Sequence, residues 1–191
     1  MTLEVWLCAA DPDDTAALLD AHEEADRVGE RHEAVRALLG LADRMFCWIR
    51  PHTTWKYNQR AREYAAEHQV DTLSFLTAMA AWHRLRFADW ESAERLARGE
   101  IGHGPSVTQI LARTVLAELA VRRGHPDAGE RLAEVSEQAE RTGELQWIGP
   151  RLELEMEWAL IRGDTLPVDP ISRARDHAGE RAGGRMATGH A

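Results

Sequence analysis

Only one of the 23 basic residues in this 191-residue chain is a lysine, Lys56. It sits in WKYN (55–58), so the chain holds no phosphate-binding loop of the form G-x-x-x-x-G-K-[ST], whose lysine must follow a glycine-rich turn. Positive charge is scarce overall: 23 Lys and Arg against 32 acids leave a formal charge of −9. Such a surface repels phosphate backbones, and direct nucleic-acid binding by the body of the chain is not expected. The cysteines number two, Cys8 and Cys47, too few and too far apart in sequence to suggest a disulfide framework. Cys47, in MFCW, is expected as a small buried thiol.

Long hydrophobic runs are missing as well. No stretch approaches the roughly 20 apolar residues of a membrane span, so no membrane contact is expected. The start, MTLEVWLCAADPDD, lacks the basic region of a secretory signal and soon turns acidic, which makes the cytoplasm the natural assignment. Strand-like alternation is absent, and VWL (5–7) is too short to matter. The catalytic signatures H-E-x-x-H and G-x-S-x-G are lacking, and so is a Cys–His nucleophile pattern. No catalytic residue, cofactor or metal is therefore expected. Nine histidines do include His22 and Asp26 at i, i+4, with His32 beyond, and His83 and His103 further on. They leave one alternative of another class, a small helical metal-dependent enzyme, beside the plainer reading of a solvated face.

What the chain has is helical periodicity interrupted at regular places. ADPDD (10–14) reads as a helix start, with Asp11 as cap and Pro12 in the first turn; the helix runs to about Val28 and stops at Gly29. From about Arg31, the residues Val35, Leu38, Leu39, Ala42, Met45 and Phe46 keep a 3.6-residue spacing. Pro51 ends that helix, and Thr53 or Thr54 caps the next. Asp71 caps a helix carrying Leu73, Leu76, Met79, Ala80, His83 and Phe87. Ala88-Asp89 turns into WESAERLA (90–97), IGHGPS (101–106) breaks the chain, and VTQILARTVLAELAVRR (107–123) resumes it. GHPDA (124–128) opens a helix to Thr142 that stops at Gly143. A last helix in WIGPRLELEMEWALIRGD (147–164) is expected to start at Pro150 and end at Gly163-Asp164.

The breaks form two interleaved series. Stops at Gly29, Gln69, Gly104 and Gly143 lie 40, 35 and 39 residues apart, and turns at Arg50, Ala88, Gly124 and Gly163 lie 38, 36 and 39 apart. A shared period of 35 to 40 predicts helix-turn-helix hairpins stacked in one direction, as in tetratricopeptide-like repeats. ADRVGE (25–30) and AERTGE (139–144) are equivalent helix ends, three repeats apart. ADWESAE (88–94) and GHPDAGE (124–130) put the small Ala93 and Ala128 where two helices of a hairpin approach. RPHTTW (50–55) and Gln69 depart from the glycine of the consensus, so the repeats are degenerate. The expected fold is an all-α, right-handed superhelical array of about four such hairpins over 11–164, with a flexible or irregular tail over 165–191. That tail dissolves into Gly, Ala and Arg, and its four arginines against three acids make it slightly basic.

The stretch LARTVLAELAVRRGHPDAGERLAEVSEQAERTGELQWIGPRLELEMEWALIRGD (111–164) resembles the helical-repeat region of LuxR-type, MalT-like bacterial transcriptional regulators. YAAEHQVDTLSFLTAMAAWHRLRFADWESAE (64–94) is similar to the preceding repeats of that region. The Ala, Glu and Arg skew, that of a GC-rich coding sequence, suits a bacterial source. The resemblance implies a non-catalytic sensor or scaffold segment, which in the family lies between an ATP-binding domain and a DNA-binding one. A stand-alone adaptor is the alternative. In stacked hairpins the first helix of each lines a concave face, where a protein, a peptide or a small effector binds. Its candidate residues are Arg44, Trp48, His83, Arg86, Glu118, Arg122 and Glu155. Of seven tryptophans, Trp55, Trp82, Trp90 and Trp158 are expected to wedge between helices, and Trp48 and Trp147 to be partly exposed. An array cut at both ends would expose apolar helix faces, so self-association is expected.

Overall fold

The computed structural model describes residues 15–104 and 106–164. Among these the chain forms eight α-helices and no strand: α1 (Ala16–Val28), α2 (Arg31–Cys47), α3 (Pro51–Glu67), α4 (Leu73–Arg86), α5 (Trp90–Glu100), α6 (Ser106–Arg122), α7 (Ala128–Thr142) and α8 (Leu145–Arg162). They divide into two compact units, one ending at Ala112 and one beginning at Arg113. The all-α expectation holds. The expected start at Asp11 and the tail 165–191 lie outside the described residues.

In the first unit each helix packs on the next, α1 on α2, α2 on α3, α3 on α4 and α4 on α5. Its core is the stripe that periodicity picks out on α2, namely Val35, Leu38, Ala42 and Met45, joined by Leu41. Tyr57, Ala61 and Ala65 of α3 close on it, with Val70 and Leu76. Small residues set how closely the axes approach: Ala34, Ala42, Ala61, Ala65, Ala78, Ala81, Ala93 and Ala97 are fully buried. Burying a leucine such as Leu38 or Leu41 contributes about 1.5–3 kcal/mol, which makes this stripe the main stabilising term. In the second unit α7 packs on α8. Ala117, Ala120 and Val121 of α6 meet Ala128, Leu132 and Val135 of α7 and Leu154 of α8, with Trp158 against them.

Seven of the eight helix ends repeat one geometry; α5 instead ends at Glu100 with an extended Ile101, and Gly104 follows four residues on. Positive φ occurs at Gly29, Ile49, Gln69, Ala88, Gly104, Gly124, Gly143 and Gly163, with values from 53° to 82°. Seven of these eight are the expected stops; the eighth, expected at Arg50, falls one residue earlier at Ile49. At six of them the two Schellman hydrogen bonds close the helix. Gly29 N–H donates to Asp26 O at 3.1 Å and Glu30 N–H to Ala25 O at 2.8 Å. The same pair recurs behind Ile49, Gln69, Ala88, Gly124 and Gly163, the longer-range bond always 2.8 or 2.9 Å.

Several starts differ from expectation. α3 begins at Pro51, whose missing N–H is harmless in a first turn. Thr54 is therefore inside the helix, and its hydroxyl donates back to Arg50 O at 3.0 Å instead of capping. α4 begins after Thr72 and not after Asp71, without a side-chain cap. α8 begins at Leu145, so Pro150 lies within it. Gly149 explains the tolerance, because a proline clashes with the Cβ of the residue before it and Gly149 has none. Ile148, 1% exposed, anchors that early segment. Cys47 is half-buried and disulfide-bonded, not the buried thiol expected from MFCW. Its partner sulfur lies outside the described residues. No helix among the described residues is long and apolar enough to cross a membrane.

Gly104 carries two demands at once: φ is +73°, and a Cβ would lie 2.5 Å from Ser74 Oγ. Gly102 has φ +82° with open space around it. Gly104→Ala should therefore lower the unfolding free energy by more than the roughly 1–2 kcal/mol of left-handed strain that Gly102→Ala bears alone. Denaturant unfolding of the two variants checks this; equal losses would mean that Ser74 yields freely.

A candidate ligand pocket on α3 and α4

α3 is the least apolar core helix. Thr54, Tyr57, Asn58, Ala61 and Ala65 are its buried residues. Beside that face run Trp55, Asn58, Gln59, Arg62, Glu63 and Ala66, at i, i+3, i+4, i+7, i+8 and i+11, one continuous stripe of a helix. With Leu73, Ala80 and Arg84 of α4, this stripe lines a cavity of about 460 Å³.

Most polar groups of the wall are held from behind. Asn58 Nδ2 donates to His83 Nδ1 at 2.9 Å, which leaves the ring proton on Nε2, 3.1 Å from Asp43 Oδ1. His83 is 1% exposed and stacks on Phe46 with ring centroids 4.6 Å apart. Gln59 Nε2 donates to Glu63 Oε1 at 2.7 Å. The Arg84 guanidinium lies 4.8 Å from the Trp55 ring centroid and donates to the Asp89 carboxylate. Burial pulls the Asp89 carboxyl upward, but hydrogen bonds from Arg84 and Ser92 outweigh it and hold its pKa below the ordinary aspartate value. Arg62 and Trp55 stand apart. Arg62 Nε and Trp55 Nε1 are buried donors with no hydrogen-bond acceptor among the described residues.

None of the seven residues expected on a concave face lines this cavity. In the first unit Arg44 is buried, its guanidinium 5.2 Å from the Trp48 ring, and Trp48 packs against the core. Arg86 lies 4.2 Å from the Trp82 ring, and His83 backs Asn58. In the second unit Glu118, 2% exposed, pairs with Arg122 at 2.7 Å. Arg122 also donates to Glu157 at 2.9 and 3.2 Å, tying α6 to α8. Burial works against the Arg122 charge, and Glu157 and Glu118 more than restore it, raising its pKa. Glu155 accepts from Ser136 at 2.8 Å and Arg151 at 2.9 Å, tying α8 to α7. The structure thus gives these polar residues packing partners within their own units. Trp55, Trp82, Trp90 and Trp158 are only half-buried, as are Trp48 and Trp147.

The residues behind the metalloenzyme alternative also have other partners. His22 Nδ1 lies 3.0 Å from Ala34 O, and Asp26 accepts from Arg31 and, at 2.5 Å, from the Tyr64 hydroxyl. The Tyr64 bond, with the charge of Arg31, holds the Asp26 pKa low. Among the described residues no group of three or more His, Cys, Asp or Glu is placed to hold a metal. The α3 stripe escaped the sequence reading because Gln59, Arg62 and Glu63 look like a solvated helix face. Trp55 one turn before them was the available signal. No protein-family model matches the chain, and neither a curated protein nor a solved structure is similar to it.

Asp89 gives the wall a definite pH dependence. Its folded pKa is lowered, so its contribution is present above the unfolded value of about 3.9 and is lost as pH falls through the folded value. Asp89→Asn keeps a capping side chain but removes the charge. Unfolding free energies between about pH 3 and 6 should fall less steeply in Asp89→Asn than in the parent chain; identical slopes would contradict the Arg84–Asp89 account.

Proposed function

We propose that the chain is a non-catalytic binding module built of tetratricopeptide-like hairpins. In this reading it is the sensor or scaffold segment of a LuxR-type, MalT-like regulator. One observation carries it. Seven of the eight described helices end in the same left-handed conformation, 19 or 20 residues apart except for the 36 from Ala88 to Gly124, the mark of one supersecondary unit used again and again. Such a unit recognises by shape and a few anchors, and it transforms nothing.

In the proposed array α2, α4, α6 and α8 are the first helices of successive hairpins and line the concave, right-handed superhelical face. A protein or peptide partner docks there, and a small effector occupies the α3–α4 pocket. The charge of −9 sets the body of the chain against direct nucleic-acid contact, so DNA control belongs to another domain of the parent protein. The reading frames flanking the gene test the regulator assignment. An ATP-binding domain before this segment and a helix-turn-helix after it support the assignment; clean stops beside unrelated neighbours would contradict it and leave a stand-alone adaptor.

Self-association is part of the same proposal. Leu160 and Ile161 on α8 are 64% and 54% exposed, on a helix end that an array would cover with a further helix. Light scattering should give a mass that rises with concentration and falls back towards monomer in Leu160→Glu/Ile161→Glu. A monomer mass at every concentration would overturn this part.

A further inference from the structure

We infer that the α3–α4 pocket binds a small monocarboxylate with an apolar body, held by Arg62 and Trp55. The inference rests on the reading of the chain as a binding module and names the ligand class of that module.

Size comes first. A cavity of about 460 Å³ falls within the range of small-molecule sites and far below a peptide groove. Charge comes next. Three ionisable side chains line it: Arg62, Arg84 and Glu63. Arg84 is neutralised by Asp89, and Glu63 takes the Gln59 amide. Arg62 has no ion pair or hydrogen bond among the described residues. Arg62 is thus the cation of the lining without an ion pair, and a single carboxylate can pair with it, where a phosphate dianion would meet more repulsion from the still anionic Glu63.

Hydrogen bonding points the same way. The two unpartnered groups on the wall, Arg62 Nε–H and Trp55 Nε1–H, are both donors. Both atoms are closed to solvent in this conformation, so a ligand acceptor meets them only when the two side chains turn, and it then recovers the cost of a buried donor left unmade. A carboxylate is the fitting acceptor, because its two coplanar oxygens match the guanidinium fork. Trp55, Ala66, Leu73 and Ala80 supply apolar wall for the rest of the molecule. The remaining polar groups are already fixed, Asn58 by His83 and Arg84 by Asp89, so the pocket keeps its shape without a ligand.

The test titrates the full chain with phenylacetate, with the isosteric neutral phenylacetamide, and with inorganic phosphate. Calorimetry and the indole N–H resonance of Trp55, assigned through Trp55→Phe, provide the readouts. Phenylacetate should bind saturably and shift that resonance, and phenylacetamide should bind about tenfold more weakly or worse. Arg62→Gln should weaken phenylacetate by about tenfold or more, while the exposed Arg60→Gln on the same helix leaves it unchanged. Should Arg62→Gln fail to fold, Arg62→Lys and Trp55→Phe serve, each weakening phenylacetate more than phenylacetamide. Equal binding of acid and amide would overturn the inference, as would equal loss in Arg60→Gln and Arg62→Gln, tighter binding of phosphate, or no saturable shift up to about 10 mM. The titration needs no parent regulator and the flanking frames need no ligand, so either reading can fail alone.

Discussion

The packing depends on the chain leaving seven of its eight helices in a left-handed residue and starting the next helix after two to five positions. Behind Gly29, Ile49, Gln69, Ala88, Gly124 and Gly163 the same two backbone bonds take up carbonyls that a helix end would otherwise strand. Three of these residues are not glycine, and holding an L-residue there costs about 1–2 kcal/mol. The hydrogen bonds and the packing they permit offset it. At Gln69, for instance, the following Val70 enters the core beside Ala65, whose carbonyl accepts its N–H at 2.8 Å. Turns this tight allow consecutive helices of similar length to lay their apolar stripes on each other. α2, α3 and α6 each have 17 residues, about 25 Å of helix, and α5, with 11, accounts for the short step from Ala88 to Gly104.

The same constraint produces the pocket. Once α3 is committed to α2 through Tyr57, Ala61 and Ala65, its neighbouring stripe is carried to the α4 side whatever residues it holds. That stripe holds few apolar side chains, so α3 and α4 leave a polar-walled cavity between them where a tighter pair would interdigitate. His83, 1% exposed, supports the back of this wall through Asn58, with the part-exposed Asp43 beside its other ring nitrogen. Cavity wall and core packing are thus divided between adjacent stripes of one helix, a single residue apart in register.

Glycine, proline and apolar spacing made the helix ends legible before any coordinates: Gly29, Gly124, Gly143 and Gly163 mark themselves. Ala88 and Gln69 were found by period alone, since nothing in an alanine or a glutamine announces positive φ. Ile49 was missed by one residue because Pro51 suggested a break immediately before it. The start of α8 was missed for a related reason, the usual meaning of proline overridden by Gly149 at its side. Side-chain partners were not legible. Glu118, Arg122 and Glu155 read as binding candidates on a concave face, and their pairing with Arg122, Glu157, Ser136 and Arg151 depends on which helices meet. The α3 stripe hid for the converse reason, since a solvated face and a polar pocket wall have one composition.

The stop geometry at non-glycine positions is the central claim, and alanine-to-glycine exchange tests it most directly. Ala88 and Ala21 are both exposed, one at a stop with φ 61° and one inside α1. Glycine inside an exposed helix lowers stability by about 1 kcal/mol. At a left-handed stop it removes strain that exceeds the extra chain entropy of the unfolded state, for a net gain of about 0.5–1 kcal/mol. Denaturant unfolding should therefore show Ala21→Gly less stable and Ala88→Gly more stable than the parent chain. A loss of stability in both variants would mean that Ala88 does not hold the left-handed turn, and the repeating unit would lose its physical basis.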